Sequence, residues 1–160
     1  LCSAADGDTV RLERVLSERL GDERFSLLTS AVRVVPRNFS RPAQRAAVAM
    51  LAWWARARDM RALRALAAGS HSLYDVFTVS PLDRPTARNA CEIVFTMAAV
   101  AATDASLKAA IDCMGFLCLP PLITSAVYHN MEDWQLVYWG AHALDALLTL
   151  MDWRTFRCLT

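Results

Sequence analysis

A chain of 160 residues with 55% hydrophobic and 21% charged side chains is long enough to bury one core and too apolar for intrinsic disorder. Five Gly and six Pro exclude a collagen-like or linker-like polymer, and a formal net charge of +1 gives no overall pull toward nucleic acid or anionic lipid. The charge is unevenly placed, with 12 Arg against 7 acids in residues 1–68 and five basic against nine acidic residues in 69–160.

The chain reads as helix throughout, because no sustained period-2 alternation and no hairpin signal between β-branched runs occurs. Asp8 or Thr9 can open a first helix bearing Leu12, Val15, Leu16 and Leu20, with Gly21 as its stop. Asp22 opens the second, with Phe25, Leu28, Val32 and Val35 on one stripe and Pro36 just beyond. Ser40 starts a long helix to about Arg58, with Pro42 tolerated in the first turn, where its missing N–H has no partner anyway. Shorter helices follow from Asp59 to Ala68, before Gly69, and from Ser72 to about Val79. Asp83 caps a second long helix, Arg84 to about Ala102, again with a proline in its first turn. Asp104 caps a short helix to about Met114, ended by Gly115, and another runs from about Pro120 to Tyr128. Asp133 opens the last long helix, to about Met151, and a final short turn carries Trp153 and Phe156.

The same grammar recurs along the chain. Arg41-Pro42-x-x-Arg45 returns as Arg84-Pro85-x-x-Arg88 at an offset of 43, which also pairs Ala47 with Ala90 and Leu51 with Val94. Gly69 and Leu73 meet Gly115 and Leu119 at an offset of 46, and at an offset near 50 Gly140 and Leu144 fall where Ala90 and Val94 sit. Each long helix thus carries a small residue, then, four residues on, a large aliphatic. The small residue lets a neighbouring helix approach and the aliphatic fills the shared core. At these residues, above all from Gly115 through Pro120-Pro121 and His129-Asn130 to the helix Trp134–Leu150, the sequence resembles the armadillo/HEAT superfamily. That resemblance implies an all-α fold, a short right-handed α-solenoid of about three helical repeats over residues 40–151. Residues 1–39 would then be capping helices and residues 152–160 a tail. The alternative is an irregular α-helical bundle. The Trp and Asn that line peptide-binding armadillo grooves are absent. The flanking positions hold Ala49, Glu92 and His142 before the aliphatic, and Trp53, Thr96 and Ala146 after it.

Candidate binding residues come from two aromatic groups. Trp53 and Trp54 are adjacent, so on a helix they point about 100° apart and at most one is deep in the core. With Arg56, Arg58, Arg61 and Arg64 they form a candidate partner-binding corner, since aromatics and Arg are enriched at interface hot spots. Trp134 and Tyr138 share a helix face. Plain helix packing is the favoured reading of either group. Trp153 and Phe156 extend an apolar C-terminal end that makes a candidate surface for self-association, or else fold back as a cap.

No catalytic residue and no metal or cofactor site is expected. His71, His129 and His142 are dispersed, and no phosphate loop, dinucleotide fingerprint or zinc-spaced cluster occurs. Glu92 and Asp145 lie in apolar helical pattern, which keeps a helical enzyme with a buried carboxylate as the rival reading. An arginine-anchored RNA-binding module is a second rival, although nucleic acid is not the expected partner. The uncharged run from Cys113 to Met131 is broken by Pro120-Pro121, so no membrane span is expected. The five cysteines show no CxxC pair, which suits a reducing intracellular compartment: cytoplasm, nucleus or organelle matrix. A start at Leu1 suits a processed chain or a piece of a longer one. The expected function is non-enzymatic: a protein-protein interaction scaffold or a structural subunit of a larger assembly.

Overall fold

The computed structural model describes residues 41–68, 71–79, 83–113 and 118–150. The helices expected before residue 40, and the turn bearing Trp153 and Phe156, lie outside them. The described elements are α1 (Arg41–Arg56), α2 (Met60–Ala68), α3 (His71–Val79), α4 (Arg84–Ala101), α5 (Ala105–Cys113), α6 (Leu119–His129) and α7 (Trp134–Leu150). No strand occurs among the described residues, so the chain is all-α there. No helix among them is long and apolar enough to cross a membrane.

Corresponding helices pack on one another. The three longest form a row, α1 on α4 and α4 on α7, while α2 lies on α5 and α3 on α6. Helix α4 sits at the centre and also touches α5 and α3. Its composition fits that place: Ala87, Ala90, Ala98 and Ala101 allow close approach, while Ile93, Val94 and Met97 are fully buried. The recurring small-then-aliphatic pattern lies inward, with Ala47, Ala90 and Gly140 buried and Leu51 and Val94 buried with them. Each fully buried aliphatic contributes about 1.5–3 kcal/mol of transfer free energy.

Helix ends follow local chemistry. Asp104 caps α5, its Oδ1 accepting from the Leu107 N–H at 2.8 Å and the Ser106 hydroxyl at 2.7 Å. Asp133 caps α7, its Oδ1 accepting from the N–H groups of Gln135 at 3.1 Å and Leu136 at 3.2 Å. Asp83 is the N-cap of α4, and its carboxylate accepts from the Thr86 hydroxyl and from Arg45. Helix α1 ends at Arg56, two residues earlier than expected, because Arg58 adopts φ 51°, a left-handed stop taken without glycine. The buried Asn130 closes α6, its Nδ2 donating to the Ala126 carbonyl at 2.8 Å.

Gly140 sets the approach of α7 to α6. A Cβ there would overlap Cγ2 of Val127 and touch Ile123 Cγ2 at 3.7 Å. Valine is stiff and cannot swing aside. Gly140→Ala gains about 1 kcal/mol of helix propensity and loses about 1–3 kcal/mol to overpacking. The expected net loss is about 1 kcal/mol, and in a Val127→Ala background the same change should stabilise. Urea denaturation of the four species reads that reversal of sign.

Candidate protein-docking surface

The helix rows are tied by arginines that reach across to the acid ahead of the next helix. Arg45 on α1 holds Asp83, with Nε donating to Oδ2 at 3.1 Å and Nη2 to Oδ1. Arg64 on α2 donates to the Ser106 hydroxyl at 3.0 Å, and Ser106 in turn bonds Asp104. Arg88 on α4 donates to Asp133 Oδ2 at 2.9 Å and to Gln135 Oε1. Arg84 lies 3.5 Å from Glu132. Deeper in, Arg56 grips Glu92 through two parallel bonds, one of them 2.6 Å, and the Glu92 side chain is only 7% exposed. The geometry matches the planar fork of guanidinium to carboxylate.

These pairs shift titrations as expected. The Arg45 hydrogen bond holds Asp83 below the usual carboxylate range against the opposing effect of burial. At Asp133 burial pushes upward, but the Arg88 hydrogen bond and the N–H groups of Leu136 and Gln135 outweigh it, and the value falls. Asp104 is lowered by the Ser106 hydrogen bond and the Leu107 N–H. A carboxylate with a lowered folded value binds fewer protons in the folded state near pH 4. Its contribution is therefore present above the ordinary value of about 3.9 and is lost as pH falls through the folded value. Stability should decline as pH falls below about 4. The double variant Asp83→Asn/Asp133→Asn should decline less steeply there than the wild type, as read by thermal melts across pH.

The aromatic and basic corner expected on α1 and α2 divides, with the tryptophans turned inward and Arg56, Arg58 and Arg64 exposed. Trp54 is 7% exposed and belongs to the core, which removes it as a docking residue. It follows Leu51 by three residues on the same buried stripe, so its indole is carried inward. Trp53 is half-buried, 6.3 Å from the Trp54 ring, and its buried Nε1 has no hydrogen-bond partner among the described residues. Arg56 is committed to Glu92 and Arg64 to Ser106, so neither stands ready as an anchor. The Arg61 side chain, and Trp153 and Phe156, lie outside the described residues.

The second aromatic group is different. Trp134 is 70% exposed and Tyr138 50% exposed, one turn apart on the outer face of α7. The same face continues through Ala141 and Asp145 to the exposed Leu148, a spacing of three and four residues. Tyr128 and Met131, at the end of α6 and in the turn after it, are also exposed large apolar residues. Tyr138 is propped in place by His142, with ring centroids 4.4 Å apart, and His142 in turn packs on Phe95 at 5.6 Å. Sequence reading placed Leu148 in the apolar C-terminal end and missed Tyr128 and Met131. The stripe 134, 138, 141, 145, 148 was a visible signal for Leu148, whereas Tyr128 and Met131 required the turn geometry.

Burial pushes the Cys91 thiol up to about 12, so it stays protonated and acts as a small apolar group. The Glu92 carboxylate is taken up by Arg56, and Asp145 stands exposed on α7. No group of three or more His, Cys, Asp or Glu is placed to hold a metal among the described residues. No family model matches the chain, and no curated protein or solved structure matches it either.

Proposed function

We propose that the chain is a non-enzymatic binding module, a short α-solenoid of armadillo/HEAT type that docks a protein partner as a scaffold or assembly subunit. The observation that carries this reading is the outer face of α7, where Trp134, Tyr138 and Leu148 are exposed together on one stripe. A run of large apolar side chains on a helix face of this kind marks a protein interface more often than solvent-facing surface. The row α1–α4–α7, with α2 on α5 and α3 on α6, supports the repeat reading because each helix meets its counterpart one unit on. The arginines support a structural role for the basic residues over RNA contact, since Arg45, Arg56, Arg64 and Arg88 are engaged by partners within the chain. The intracellular, reducing compartment expected from the cysteines belongs to the same reading.

A photoreactive benzophenone side chain at position 138 tests it, with position 103 as the exposed control. Crosslinking to one discrete polypeptide from position 138, and none from 103, is the expected result. Equal diffuse crosslinking from both positions contradicts it.

A further inference from the structure

The face of α7 left open is the face by which each earlier long helix holds the next. On α4 that face presents Arg84, Arg88 and Phe95, which reach Glu132, Asp133 with Gln135, and Trp139 with His142. At the offset of 50 that separates Asp83 from Asp133, those positions become Trp134, Tyr138 and Asp145 on α7. Arg45 of α1 precedes Arg88 by 43 and reaches Asp83 in the same way. Tyr138 therefore stands where two reaching arginines stood, half exposed against His142 and Trp139 of its own helix.

The receiving side can be placed by the same register. Helix α7 receives Phe95 on Trp139 and His142. The corresponding positions of α1 are Ala46 and Ala49, and both are exposed. The outgoing face is thus rich in large side chains, and the incoming face is small and apolar. Bulky residues seat over alanines without displacing any group already packed.

We propose that a second copy of this chain occupies the outer face of α7, docking through Ala46 and Ala49 of its α1, so that copies stack head to tail and continue the α1–α4–α7 row. This rests on the reading of α7 as a docking face and names its partner. The contact is heterologous, so each copy keeps one face free and growth does not close after two. One helix face is at the small end of specific interfaces, so the association is weak and concentration-dependent.

Sedimentation velocity on the full chain tests this with Tyr138→Ala, which truncates the outgoing face, and Ala49→Arg, which blocks the incoming one. The wild type should grow past the dimer with concentration, and each variant alone should stay monomeric. An equimolar mixture of the two variants should form a discrete dimer that grows no further, because one intact pair of faces remains. Leu148→Arg and Ala46→Arg serve as second blocks on each face, and thermal melts confirm that every variant folds. A wild type that is monomeric throughout overturns the proposal, as does an Ala49→Arg chain that still dimerises through α7 alone. Growth that begins only after removal of residues 151–160 overturns it too. If position 138 crosslinks a different polypeptide while the chain stays monomeric, the docking face stands and the second-copy partner falls. If position 138 crosslinks nothing, both fall.

Discussion

Arg56→Met should destabilise the fold by about 2–3 kcal/mol, more than Glu92→Gln, which should cost about 1 kcal/mol. The asymmetry comes from burial. The Glu92 side chain is 7% exposed while that of Arg56 is 51% exposed. Removing the arginine strands a carboxylate away from water, and breaking a buried pair in that way costs about 3–5 kcal/mol when both partners are enclosed. Half-exposure of Arg56 lets some water reach the site and lowers the figure. Removing the acid leaves a guanidinium that can turn to solvent. The double change Arg56→Met/Glu92→Leu should recover most of the loss, because no charge then remains inside. Urea denaturation gives all four values, and equal costs for the two single changes would show that the pair is solvent-screened.

The largest loss is expected at the centre of the helix row. Ile93 is fully buried on α4, the helix that touches α1, α3, α5 and α7. Ile93→Ala should cost about 3–5 kcal/mol, the upper part of the range for emptying a core site. Neighbours on several sides limit how far the cavity can collapse. Leu148→Ala, on the open face of α7, should stay within about 0.5 kcal/mol in the monomer. A cost at Ile93 no larger than that at Leu148 would mean that α4 is not central.

Much of this architecture was legible. The second-half helices announced themselves through Asp83, Asp104 and Asp133 at their starts and through Pro85 and Pro120 in their first turns. The offsets of 43 and 50 pointed to the helices that pack on one another. What escaped was non-local. Arg45 and Arg88 were visible as a recurrence, but their carboxylate partners lie 38 and 45 residues away, and spacing alone does not pair them. The early stop of α1 escaped because Arg58 takes a left-handed turn with no glycine to mark it. The aromatic pairs could not be ranked from pattern, since Trp54 and Trp134 look alike until neighbours bury one and leave the other bare. Arg56 looked like a surface anchor for the same reason: the buried carboxylate that claims it sits on the next long helix.

The central claim is that α4 carries α7 on its outer side in a fixed register and leaves the far face of α7 open. Nuclear Overhauser contacts in the folded chain at low concentration measure this directly. The ring of Phe95 lies 5.8 Å from Trp139 and 5.6 Å from His142. Cross-peaks from Phe95 to both rings, with none to the exposed Leu148, are the predicted result. Cross-peaks from Phe95 to Leu148, or none to Trp139, would mean that α7 is turned about its axis and contradict the account.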